Sequence, residues 1–210
     1  MYDLEEQESI DALKHFWNQY GRLVITAAVA FVVGVAGIQG WNYWTRTQAE
    51  RASALFGRLE EAERKSDLNE MRRLGAELID KYPRSAYGPM AALVLAKTNY
   101  LNADRAGAAK QLQWAVDHAG DEDLRALARL RLAGVLLDDK KYDEALRLLE
   151  TKTSDAFVAP YADLRGDVLA AQGKAAEARA AYRQALDKIA AGDPLRNVIQ
   201  VKLDALGPGK

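Results

Sequence analysis

From Leu23 to Thr45 the chain reads LVITAAVAFVVGVAGIQGWNYWT and carries no charged side chain. As an α-helix these 23 residues would reach about 34 Å, enough to cross a bilayer core of about 30 Å. A helix buried in a soluble core is rarely uncharged over such a length, so the stretch is read as a single membrane span. Aromatic rings flank it, with Phe16, Trp17 and Tyr20 before it and Trp41, Tyr43 and Trp44 at its far end. Amphipathic rings of this kind settle at headgroup level, and three of the chain's four tryptophans lie in these two belts. The rest of the chain has to be organised around a helix whose surroundings are lipid.

Residues 1–22 start acidic (Asp3, Glu5, Glu6, Glu8, Asp11) and become amphipathic, with Ile10, Leu13, Trp17 and Tyr20 on one helical face. They read as a short tail whose last turns lie at the membrane interface. A cleavable signal peptide calls for a basic start, a short apolar region and a small-residue cleavage site; the acidic tail points to an uncleaved anchor instead. Inside the span, Ala30, Gly34, Gly37 and Gly40 form a series of small residues. Ala30/Gly34 and Ala36/Gly40 stand at the spacing that lets a second membrane helix approach closely, so this face is the candidate for contact with a membrane partner. Only Lys14 and Arg22 precede the span, whereas Arg46, Arg51, Arg58, Arg64 and Lys65 follow it. A positive-inside count alone would keep the carboxyl-terminal part in the cytoplasm, although that count is weak for long domains.

The remaining residues, 46–207, suffice for one domain with a real core. Of 29 Lys+Arg and 30 Asp+Glu in the chain, only two basic and five acidic residues precede residue 46. The domain is therefore close to neutral, which argues against nucleic acid as a partner. Cysteine is absent, which removes disulfides and thiolate chemistry.

The pattern after the span is helical throughout, with turn signals at Tyr82-Pro83, Gly88-Pro89, Asp121, Pro160 and Asp193-Pro194. Helix pairs recur. Ala96, Ala108, Leu112 and Ala115 are spaced like Ala133, Ala145 and Leu149, and like Gly166, Ala178, Tyr182 and Ala185. The successive repeats are 37 and 33 residues apart, near the 34 of a tetratricopeptide unit. The small pair twelve residues apart lets two helices cross closely, and the larger residue four further on is expected to fill the space between neighbouring pairs. Gly173 is expected to turn the chain within the best-kept unit. A degenerate first unit runs from Leu55 to Tyr82, residues 151–160 read as a loop, and Leu195 to Leu206 reads as a capping helix with Leu195, Val198, Ile199, the Lys202 stem and Leu203 on its inner side. The fold class is thus all-α: one amino-terminal transmembrane helix followed by a tetratricopeptide-like stack of hairpins with a carboxyl-terminal cap. Gly207-Pro208-Gly209-Lys210 is expected to be a frayed end.

No catalytic constellation stands out. His15 and His118 lie in unrelated segments, there is no phosphate-binding loop or metalloprotease motif, and adjacent acidic pairs such as Asp138-Asp139 do not face each other on a helix. Neither an enzyme nor a cofactor or metal is expected. Stacked hairpins offer instead a face lined by the first helix of each pair, suited to a segment of another protein. Candidate contacts on it are Phe56, Leu93, Lys97, Tyr100, Leu130, Leu137 and Asp167, with Trp114 a further residue that is either exposed or packed.

Several stretches together resemble the YfgM-like ancillary subunits of the bacterial SecYEG translocon. They are Glu6-Gln7-Glu8, the Lys14-His15-Phe16-Trp17 and Gly21 lead-in, Gly37 with Gly40-Trp41-x-Tyr43-Trp44 at the exit of the span, Tyr87-Gly88, Leu130-Arg131-Leu132-Ala133, and Ala162-Asp163-Leu164-Arg165-Gly166-Asp167. The span exit and the last run are the distinctive ones. The resemblance implies a single-pass protein of the inner membrane with a cytoplasmic tail over 1–22, a span over 23–45 and a periplasmic tetratricopeptide-like domain over 46–207. It further implies association with SecYEG and a PpiD-like periplasmic chaperone; the repeat surface would hold that chaperone or an emerging, unfolded secreted chain. An envelope assembly scaffold unconnected with secretion would use the same repeat surface.

Overall fold

A computed structural model describes residues 2–207 and, within them, all side chains except those of residues 2–13, 16 and 27. The described residues form nine helices and no strand: α1 (Tyr2–Arg64), α2 (Leu68–Lys81), α3 (Tyr87–Leu101), α4 (Arg105–His118), α5 (Glu122–Asp138), α6 (Tyr142–Leu149), α7 (Asp155–Ala171), α8 (Ala175–Lys188) and α9 (Leu195–Ala205). The chain divides into two compact units, residues 1–49 and residues 50–210.

The first unit consists of α1 up to Ala49, and its apolar side chains have nothing to pack against: Leu23, Phe31 and Ile38 are 69%, 72% and 64% exposed. Among the described residues this is one helix long and apolar enough to cross a membrane. Its threonine hydroxyls bond back within the helix, Thr26 Oγ1 to the Arg22 carbonyl, Thr45 Oγ1 to the Trp41 carbonyl and Thr47 Oγ1 to the Tyr43 carbonyl, as a helix in lipid favours. Trp17, Tyr20, Trp41, Tyr43 and Trp44 are all exposed. The side chains of Ile10, Leu13 and Phe16, part of the expected interfacial helix and its belt, lie outside those described.

The second unit is a stack of four hairpins: the end of α1 with α2, α3 with α4, α5 with α6, and α7 with α8, closed by α9. Asp67, Asp104 and Asp121 start α2, α4 and α5 by accepting from the backbone N–H of Glu70, Gly107 and Leu124, each cap worth about 1 kcal/mol. Every hairpin turns on one left-handed residue, Ser66, Ala103, Lys140 and Gly173, with φ of 56, 62, 61 and 78°. The following amide closes each helix end on the carbonyl five residues back, Asp67 to Ala62, Asp104 to Asn99, Lys141 to Leu136 and Lys174 to Leu169. These turns are 37, 37 and 33 residues apart, which extends the repeat read from the sequence to the first hairpin. Only one of the four uses glycine. An L-residue here carries a steric cost that glycine escapes, so Ala103→Gly and Lys140→Gly should each raise stability by about 0.5–1 kcal/mol, read as an upward shift of the urea midpoint of residues 46–210.

The core is rich in alanine because the helices cross closely. Ala108, Ala115, Ala133, Ala145, Ala178 and Ala185 are fully buried. The first hairpin keeps the register with the sizes exchanged: Leu59 and Met71 occupy the positions of Ala96 and Ala108, and Gly75 that of Leu112. The next hairpin fills the space, for a Cβ on Gly75 would stand 2.7 Å from Leu95 Cδ1. Leu59, Leu74 and Leu78 are fully buried in this cluster, each contributing roughly 2–3 kcal/mol.

Several expectations are corrected. The loop after α6 is shorter than 151–160, because α7 begins at Asp155 and holds Pro160 inside it. The amide that proline lacks would have met the Ala156 carbonyl; Ala156 is exposed, so that acceptor lies within reach of water. Gly88-Pro89 lies in the first turn of α3, where amides have no helical partner anyway. Tyr182 fills space within its own hairpin rather than between hairpins, its ring lying over Gly166. On α9, Leu195, Ile199 and Leu203 pack inward, whereas Val198 is 48% exposed.

Candidate interaction surface

On α3, Leu93, Lys97 and Tyr100 follow one another at helical spacing along one face. They line a cavity of about 360 Å³ bounded by α3, α5 and α7, with Leu112 of α4 in its wall. Leu93, Ala96, Leu112, Val135, Leu137 and Leu164 supply its apolar wall, and Gly134 leaves part of α5 bare. Lys97, Tyr100, Arg131 and Asp138 supply the polar groups. The Tyr100 hydroxyl donates to Asp138 Oδ2 at 2.6 Å, and this hydrogen bond holds the phenol above its usual pKa range. Lys97 Nζ pairs with Glu63 at 2.9 Å. Arg131 is exposed and has no carboxylate partner among the described residues.

A second cluster ties α9 to α7. Lys202 Nζ lies 2.9 Å from Asp163 Oδ1 and 2.8 Å from Asp167 Oδ2, and the Tyr182 hydroxyl donates to Asp167 Oδ1 at 2.8 Å. Burial pushes the Asp163 carboxyl up, and Lys202 pulls back only part of that rise. Burial opposes the charge on Lys202 itself, but its hydrogen bonds to Asp167 and Asp163 outweigh this and hold the ammonium above its usual range. Burial, reinforced by the Asp167 hydrogen bond, pushes the Tyr182 phenol up. Arg196 donates to the Leu186 carbonyl at the end of α8, and Arg179 donates to the Leu206 carbonyl at the end of α9. Each helix thus places a cation on the other's carboxyl end.

The tetratricopeptide repeat-like domain family matches residues 14–208, a range that takes in the apolar segment as well as the hairpins. The ancillary SecYEG translocon subunit of Neisseria gonorrhoeae is 34% identical over 205 residues, 97% of this chain and 98% of that one. This chain belongs to the family of ancillary SecYEG translocon subunits. The ancillary SecYEG translocon subunits of Haemophilus influenzae and Escherichia coli are each 31% identical, over 88% and 96% of this chain and 90% and 96% of their own.

Within this ancillary-subunit fold, four residues of the seven singled out on the repeat face come together: Leu93, Lys97, Tyr100 and Leu137 line the cavity. Leu130 packs against the central core. Phe56 is 7% exposed and sits in the first cluster, its ring 5.6 Å from that of Tyr87. Asp167 holds Lys202. Trp114 is partly buried against the core and stacks on His118 with ring centroids 4.1 Å apart. On the span, a Cβ added at Gly34, Gly37 or Gly40 would meet nothing, and Ala30 is exposed. Sequence reasoning missed Arg131, Gly134 and Asp138 at the cavity. Their spacing of three and four along α5 was a usable signal, since it places them on one face. For Asp163 and Lys202, 39 residues apart, no local signal exists. The run Ala162 to Asp167 that carries the resemblance now has a physical content: Asp163 and Asp167 bind Lys202, and Gly166 makes room for Tyr182.

Proposed function

We propose that this chain is a non-enzymatic ancillary subunit of the Sec translocon, held in the bacterial inner membrane by the span over 23–45. Residues 1–22 face the cytoplasm, and residues 46–207 form a periplasmic domain that binds a PpiD-like chaperone, emerging secreted chains, or both. The likeness to ancillary SecYEG translocon subunits over nearly the whole chain, apolar segment included, carries this reading. The apolar helix supports it, because its exposed side chains require lipid or another membrane helix around them. The open face of Gly34, Gly37 and Gly40 suits close approach of such a helix. The arginines after the span do not oppose a periplasmic domain, since long domains translocate largely regardless of flanking charge.

Purified from its own membranes in mild detergent, the tagged chain should bring SecY, SecE and SecG with it; their absence would end the translocon reading. Alkaline phosphatase fused after Lys210 should be active, and protease added to spheroplasts should digest the repeats while sparing an amino-terminal tag. An inactive fusion with protected repeats would place the domain in the cytoplasm and exclude periplasmic partners.

A further inference from the structure

We infer that the cavity between α3, α5 and α7 is an anchor site for a short segment of a folded partner protein, one that presents a large apolar side chain next to an acidic one. The inference rests on the partner-binding reading of the repeat domain and specifies what that domain recognises. A space of about 360 Å³ falls within the range of built ligand sites and is of the size that one or two large side chains occupy. Apart from Arg131, its polar groups are already engaged, the Tyr100 hydroxyl by Asp138 and Lys97 by Glu63, so an uncharged polar side chain entering it loses water for little gain in partners. An apolar one gains the burial of both surfaces. Leu101 is 72% exposed and Tyr100 42%, which extends the apolar lining outward to where a docked segment would lie.

Charge then selects the neighbour of the anchor. Arg131 lines the cavity with no carboxylate opposite it among the described residues, whereas Lys97 is matched by Glu63 and Asp138 accepts from the Tyr100 hydroxyl. An acidic residue beside the anchor gives Arg131 the bidentate partner that guanidinium geometry favours. One small cavity whose Arg131 is unpaired among the described residues reads a short motif. Generic unfolded chains, which vary at every position, call for a broader apolar surface than this.

The test uses the full chain in mild detergent and fluorescein-labelled nonapeptides, acetylated and amidated at their ends, with a central Leu or Phe flanked by Asp in a Gly/Ser background. Saturable binding is expected by fluorescence anisotropy, weakened tenfold or more when the centre becomes Ser or the flanks become Lys. Gly134→Phe should abolish binding, since a Cβ there meets nothing within 4 Å and Gly134 lines the cavity that the ring would occupy. The exposed substitution Arg131→Glu should transfer the preference from Asp to Lys flanks, and it tests the inference even where Gly134→Phe disturbs the fold. Absence of peptide binding, or indifference to both substitutions, would overturn it. So would binding of reduced, carboxymethylated α-lactalbumin that Gly134→Phe abolishes, which assigns the cavity to unfolded chains. Self-association abolished by the same substitution would assign it to a second copy and equally overturn it. Co-purification of SecYEG measured alongside separates the two readings: its loss with peptide binding intact sinks only the translocon assignment, and its retention without peptide binding sinks only this one.

Discussion

Gly166→Leu should cost the repeat domain about 3 kcal/mol, the upper end of the usual overpacking range. A Cβ on Gly166 would stand 2.3 Å from Tyr182 Cε1 and 2.5 Å from Cδ1, far inside van der Waals contact. The ring has little freedom to retreat, because Tyr182 is 3% exposed and its hydroxyl is tied to Asp167. Either the ring leaves its rotamer and breaks that hydrogen bond, or α7 and α8 move apart and loosen the fully buried Ala178 and Ala185. Ala178→Trp should fail in the same way. Gly134→Ala is the informative contrast: its Cβ meets nothing, so removing a helical glycine should raise stability by roughly 0.5–1 kcal/mol. Urea unfolding of residues 46–210 followed by circular dichroism measures both signs. A Gly166→Leu domain as stable as the parent would show that the hairpin does not close on the Tyr182 ring.

Lys202→Met should destabilise by about 3 kcal/mol at neutral pH, the lower end of the range for removing one partner of a buried ion pair. Methionine keeps most of the stem, so the loss is electrostatic. Asp163 and Asp167 are left facing each other, with side chains 12% and 26% exposed and only the Tyr182 hydroxyl to share. The pH dependence identifies the cause. Burial already holds the Asp163 carboxyl above the usual aspartate range, and loss of Lys202 raises it further. A carboxyl with a raised folded pKa binds more protons folded than unfolded, so stability falls as pH rises through that value. The deficit of the variant should therefore be largest at neutral pH and shrink as pH is lowered toward 4. In the parent, the raised lysine contributes fully below the ordinary lysine range and loses its contribution only in alkali. Adding Asp163→Asn and Asp167→Asn to Lys202→Met should recover much of the loss. A deficit independent of pH would point to lost packing on α9.

The sequence by itself determined the apolar span and most of the repeat. Charge-free length is a property of consecutive residues, and a helical hairpin repeats its small residues at fixed local spacing, so Ala96, Ala133 and Gly166 marked the register before any packing was known. Gly173 announced its turn because glycine is the residue suited to a positive φ. Ser66, Ala103 and Lys140 make the same turn with no such signature, the closing amide-to-carbonyl hydrogen bonds overriding residue preference there. The first hairpin was hard to align because close helix packing constrains the summed size of facing residues rather than each one, which lets Met71 and Gly75 exchange roles. Pro160 read as a break since a proline's cost depends on whether the carbonyl it strands can reach water, and only the folded chain leaves Ala156 exposed. The tertiary structure alone decided the ion pairs of Lys202 and the cavity at Tyr100. Both arise from how far one hairpin is offset against the next, a quantity set by the combined volume of many buried side chains and written in no single stretch of sequence.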